Sequence, residues 1–254
     1  MENIKFITVD ALIYLIALIK NLRETSSNLY SFAGNAPKEN KCRQLFVESG
    51  FLAHVQSSNI KTEYNNNKIR IISGNTVDTM VIKEIIDFIS TDGKITNIHL
   101  KVLYTIIGEM MNNAIRHAYD ENKEYTQKWL LFVEKASDKY KFTLLDTGVT
   151  IPYTVNKKSI FENLKNDSSL VASALEGDTL RSRTGFAYRG KGLPDIRESV
   201  FCGFVDKMNI ISRKACCQLI YGKNLINKSE LGCPLRGTLY YWELLNKEVQ
   251  NDIN

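Results

Sequence analysis

The segment GEMMNNAIRHAY, residues 108–119, gathers a carboxylate, amides, a guanidinium and an imidazole within one short stretch. At about 100° per helical residue, with Glu109 at zero, Asn112, Asn113, Arg116 and His117 fall between about −60° and +80°. Leu103, Ile107, Met110, Ala114 and Ala118 fall between about 100° and 180°, a stripe wide enough to seat a helix on a core. The polar side is left facing a cavity or solvent. Adjacent asparagines lower helix propensity where Lys or Glu would hydrate better, so something other than helix stability selects them. An Asn113 amide oxygen is a hard ligand suited to Mg²⁺, and Glu109, one turn earlier, could polarise a water.

Two further pieces belong with this helix. In Arg189-Gly190-Lys191-Gly192-Leu193, the glycines let backbone N–H groups approach an anion, the helix that follows adds a favourable partial charge, and Lys191 adds a formal one. Asp146-Thr147-Gly148 ends an apolar strand. Asp146 is there an acceptor of the type that pairs with the exocyclic amine of adenine, while Gly148 lets a base lie close. Taken singly, an Asp-x-Gly is more often a simple turn, and the polar helix side could be a solvated face.

The elements that must position these residues can be read from periodicity. Strands are expected at 4–8, 28–33, 68–73, 128–135 and 139–146, and three more near 207–213, 215–222 and 237–245. Helices are expected at 10–23, N-capped by Asp10, at 39–49, ended by Gly50, and at 77–89, before the turn at Asp92-Gly93. Others run from about 98 to 119, over 168–176, stopped by Gly177, and onward from Gly192. Residues 177–192 read as a mobile, Gly-punctuated loop. The pattern is α/β (α+β), with a boundary near 92: a small α/β domain at 1–92 and a second domain at 93–254.

The chain of 254 residues is 44% hydrophobic and 24% charged, a globular composition that suits two domains. Its net charge of +5 is mild and its lysines are scattered, which argues against nucleic acid as a partner. The most apolar run, ALIYLIALI at 11–19, is far short of the roughly 20 residues that cross a bilayer. It reads as a buried helix, with no membrane partner. No signal-peptide cleavage pattern follows Glu2 and Lys5, and the cytoplasm is the expected location. Five cysteines without a CxxC pair, beside three histidines, argue against a disulfide framework or zinc site.

In this order and at these spacings, the three pieces resemble the GHKL nucleotide-binding family of gyrase, the ninety-kilodalton heat-shock chaperone, sensor histidine kinases and MutL. The resemblance covers roughly residues 95–245. The family's N box matches Glu109-Met110-Met111-Asn112-Asn113-Ala114, with its basic phosphate-contacting position on Arg116 and His117 after it. The first glycine box, normally DxGxG, matches Asp146-Thr147-Gly148, and Gly190-Lys191-Gly192-Leu193 matches the second. Gly237-Thr238 resembles the terminal Gly-Thr, whose hydroxyl assists adenine recognition through water. Thr150 departs from the pattern, standing where the second glycine of the first box is expected.

The resemblance implies the Bergerat fold, a two-layer α/β sandwich with a mixed sheet that binds ATP and Mg²⁺ beside a lid, here about 150–190. Glu109 becomes the catalytic base and Asn113 the metal ligand. Arg181, Arg183 and Arg189 could reach phosphates or simply solubilise the lid. In the first domain, TVDALIYLIALIKNLR and CRQLFVESGFLAHV, with Leu45, Phe46 and Gly50, resemble a STAS domain. Its phosphoacceptor position would fall near Asp10, not on a serine, so the module would dock a partner rather than be phosphorylated.

Three functions fit. One is an ATP-driven signalling switch, one an anti-sigma-type serine/threonine kinase acting on a protein partner, and one a non-hydrolysing ATP sensor. A sensor histidine kinase fits poorly, because no histidine lies in a recognisable dimerisation helix. Homodimers are common in the resembled family, but nothing in these residues fixes that state.

Overall fold

The computed structural model describes residues 1–25, 34–55, 67–117, 128–158, 165–177 and 192–245. Among them are eight helices and a five-stranded sheet. The helices are α1 (Val9–Thr25), α2 (Asn40–Glu48), α3 (Phe51–Val55), α4 (Thr79–Ser90), α5 (Asn97–His117), α6 (Ile151–Lys158), α7 (Asp167–Glu176) and α8 (Gly192–Phe201). The strands are β1 (Lys68–Gly74), β2 (Trp129–Lys135), β3 (Lys139–Asp146), β4 (Lys207–Ile220) and β5 (Ile226–Leu245), in the spatial order β1-β2-β3-β5-β4.

Every described pairing is antiparallel, so the expected mixed sheet is not observed. The reason is local. β2 and β3 are joined by a short polar turn, and β5 returns between β3 and β4, so neighbouring strands run in opposite directions.

β4 is folded on itself. Arg213 has a positive φ of 56°, the Tyr221 amide donates to the Asp206 carbonyl at 3.0 Å, and Gln218 Nε2 donates to Asn209 Oδ1 at 3.0 Å. Positions 209 and 218 could not meet on a straight strand, which rises about 3.3 Å per residue. The two arms, before and after the turn at Arg213-Lys214, agree with the expected strands near 207–213 and 215–222. β5 bends likewise, pairing residues 238–243 with the first arm and 226–230 with the second.

Alternation along the strands divides the core in two. On one face Phe142, Leu144, Met208, Ile210, Tyr240 and Trp242 pack with α4, α5, α7 and α8. There the Phe142 and Trp242 rings stack with centroids 4.8 Å apart. On the other face Leu130, Phe132, Leu145 and Leu239 pack against Leu12, Ile13 and Ile16 of α1 and Phe46 and Phe51 of α2 and α3. Burying three aliphatic side chains of α1 contributes about 5–9 kcal/mol, a large share of a typical domain's stability. Helices thus cover both faces, where two layers were expected.

Elements on both sides of the expected boundary near 92 share one sheet and one core, since β1 pairs with β2 and α4 packs with α5. The turn itself is tied down. Tyr140 donates to Asp92 Oδ2 and Lys135 Nζ to Asp92 Oδ1, both at 2.5 Å, and together they hold the Asp92 carboxyl below its usual range.

The N-terminal expectations fare unevenly. Residues 4–8 form no strand; no strand among the described residues pairs with them, and Phe6 is exposed. The expected strand at 28–33 lies outside the described residues. Asp10 is not the cap of α1. The Thr8 hydroxyl receives the Ala11 amide there, while Asp10, in the first turn, accepts the Thr143 hydroxyl at 2.5 Å and fastens α1 to β3. Burial raises the Asp10 pKa, and the Thr143 hydrogen bond opposes that rise.

Candidate nucleotide site

α5 carries the first group. Met110, Met111 and Ala114 are fully buried on the core side, and Glu109 and Asn113, four residues apart, project from the adjoining side. The first residue of α8 lies directly against them. A Cβ built on Gly192 would sit 2.8 Å from Glu109 Oε2 and 3.5 Å from the Asn113 amide nitrogen. With glycine at 192, the start of α8 comes this close without displacing the Glu109 carboxylate. Asn113 Nδ2 is buried and has no hydrogen-bond partner among the described residues, a cost of about 1–3 kcal/mol that a ligand group could relieve.

The second group lies at one end of the sheet. Asp146 closes β3 and pairs across the ladder with Thr238 of β5, which pairs in turn with Ser212 of β4. Directly opposed residues point to the same face, and alternation with Leu145, Leu239 and Ile211 puts all three on the α5 side. The approach of β5 to β3 requires glycine at 237. Its φ is +85°, and a Cβ there would meet the Asp146 carbonyl oxygen at 2.0 Å.

Asp146 is 3% exposed. Its Oδ1 accepts the Gly148 amide at 2.7 Å, an Asx-type turn, and no second donor from the described residues reaches the carboxyl. Burial pushes its pKa up to about 7, and the Gly148 hydrogen bond only moderates the rise. Tyr240 links the two groups. Burial foremost, then the Asp146 charge, raises its pKa, while Asn113 lies near enough to oppose this without meeting hydrogen-bond geometry.

The two groups therefore share one face of the sheet. Arg116 is exposed on the last described turn of α5, and Asn112 is half-buried. The side chain of His117 and the whole of Gly190 and Lys191, with Arg181, Arg183 and Arg189, lie outside the described residues. Leu193 packs among Ile151, Val155, Leu170 and Ala174, fastening α8 to α6 and α7.

Thr150, the departure from the glycine box, begins a helix. Its hydroxyl receives the Tyr153 amide at 3.4 Å as α6 starts, so the expected lid opens with a helical segment. The sequence pattern missed Ser212 and Tyr240. Their signal was a serine and a tyrosine at positions whose strand alternation points them into the core.

Among the described residues no cluster of three His, Cys, Asp or Glu side chains could hold a metal, whereas a single amide oxygen beside a carboxylate suits an ion that keeps waters and phosphate oxygens. No helix among the described residues is long and apolar enough to cross a membrane. No protein-family model matches the chain, and no curated protein matches it.

Proposed function

We propose that this chain is a Mg-dependent ATP-binding protein of the histidine kinase-like ATPase type, acting as an ATP-driven signalling switch. The observation that carries this is the contact of Gly192 with Glu109 and Asn113, which joins two motifs about eighty residues apart in the order the family uses. The register of Asp146 with Thr238 on the same face supports it.

In this scheme Asp146 accepts the adenine amine through the carboxyl oxygen that Gly148 leaves free, and Thr238 supplies a neighbouring hydroxyl. Asn113 would hold Mg²⁺, which when bound neutralises charge on the triphosphate. Glu109, beside the start of α8, orients the attacking water by accepting its proton. Gly192 keeps the helix N-terminus close enough for its amides to face phosphate oxygens.

Calorimetry with Mg-ATP and measurement of ADP release test the scheme. Asn113→Ala is expected to abolish binding, and Glu109→Ala to preserve binding while stopping turnover. Wild-type affinity in Asn113→Ala would refute the site. A wild type that binds ATP but releases no ADP, with or without protein partners, would favour a sensor over a switch.

A further inference from the structure

Ser212 belongs to none of the sequence motifs, yet it is fully buried beside Thr238. Its Oγ accepts the Ile151 amide at 2.9 Å, and lies 2.9 Å from Thr238 Oγ1 and 3.4 Å from the Gly237 carbonyl oxygen. A serine hydroxyl has one proton and two lone pairs. With one lone pair taken by Ile151, two arrangements remain.

In the first, Ser212 donates to Thr238, which is free to donate its own proton outward. In the second, Thr238 donates to Ser212, and the serine proton is left with the Gly237 carbonyl. That contact is longer than the 2.5–3.0 Å of good O–H···O bonds. Once an acceptor faces Thr238, the first arrangement alone keeps every bond short.

Across the ladder, Asp146 Oδ1 is engaged by Gly148 and Oδ2 is left to accept. An acceptor and a donor therefore stand side by side. A 6-aminopurine offers the complement, an amine N–H beside a ring-nitrogen acceptor. A 6-oxopurine offers the reverse, an oxygen acceptor beside a ring N–H.

We infer that Ser212 is a positioning residue that holds the Thr238 hydroxyl as a donor and thereby selects adenine over guanine nucleotides. The inference rests on the nucleotide function proposed above. It also ties base recognition to the start of α6, because the same serine oxygen receives the Ile151 amide.

The test is calorimetric binding of Mg-ATP and Mg-GTP to wild type and Ser212→Ala. Wild type is expected to prefer ATP, and the variant to lose about tenfold of that preference, the effect of roughly one hydrogen bond. A residue that merely supports the fold would weaken both nucleotides alike, and an unchanged ratio would overturn the inference. Ser212→Cys keeps the volume with a weak donor and carries the same expectation if the alanine variant does not fold. Adding Ser212→Ala to Thr238→Val should leave the ratio of the single Thr238→Val variant unchanged, because the serine acts through that hydroxyl; an additive loss would also overturn it. Wild type that binds neither nucleotide would remove the proposed function and this inference together.

Discussion

Asp146 is stabilised in its neutral form by its surroundings and would be used in its charged form by a ligand. With its carboxyl pushed up to about 7 in the fold and near 3.9 in an unfolded chain, both states are protonated at low pH and no penalty exists. As pH rises past 4 the unfolded chain ionises first, so folding stability falls until pH passes 7, by about 4 kcal/mol in total. Asp146→Asn removes that titration while keeping an oxygen for the Gly148 amide. It is expected to stabilise the free protein by about 2–4 kcal/mol at pH 7.5 and to abolish ATP binding. Thermal melts at pH 4.5 and 7.5 check this, the gain shrinking at the lower pH. ATP affinity of the wild type should weaken as pH falls below 7, approaching tenfold per unit. A flat affinity from pH 5.5 to 8 would show that the ionised carboxylate is not what the base meets. In the sequence the aspartate was legible as an acceptor, but its isolation was not, because that follows from β5 and α5 closing over it.

At the scale of elements, sequence periodicity located α4, α5, α7, β2 and β3 to within a residue or two, because each couples a clean apolar pattern to a stop such as Gly177, which adopts φ +81°. α6 escaped notice although Thr150 and Pro152 are start signals, since a glycine was expected at 150. The meeting of α5 with α8 was legible only through the resemblance of two motifs, as no local pattern says which helix end faces which side chain. Its consequence can be tested with one methyl group. In Gly192→Ala the new Cβ would meet the flexible end of Glu109, so melting should change by less than about 1 kcal/mol while ATP turnover falls at least tenfold. Gly237→Ala is the contrast. Its Cβ would strike backbone, and a loss of about 3 kcal/mol or more is expected by denaturant titration; a smaller loss would mean that the β3–β5 approach is easily relaxed.

The whole molecule is a sheet sheltered on both faces, and this arrangement was the least legible part of the chain. Local patterning announced α1 as a buried helix and α2 as a helix ended by Gly50 but carried no information on what they cover, and a separate domain was as consistent with it as a second layer. Removing residues 1–66 would uncover Leu130, Phe132, Leu145 and Leu239, an apolar patch that soluble monomers rarely expose. That fragment is expected to aggregate, as followed by size-exclusion chromatography. A monodisperse, cooperatively melting 67–254 fragment would show instead that the first helices form an independent module.

The placement of β5 between β3 and β4 sets an order of events in synthesis. Asp146 and Ser212 leave the ribosome on strands that are not neighbours, and the strand that joins them carries Thr238 and emerges later. Until it inserts, the row of hydroxyls and carboxylate does not exist, whatever helices have already formed. Closing this pairing spans nearly a hundred residues of chain, the kind of distant contact that makes folding slow. Recognition of a base would thus be among the last properties the growing chain acquires.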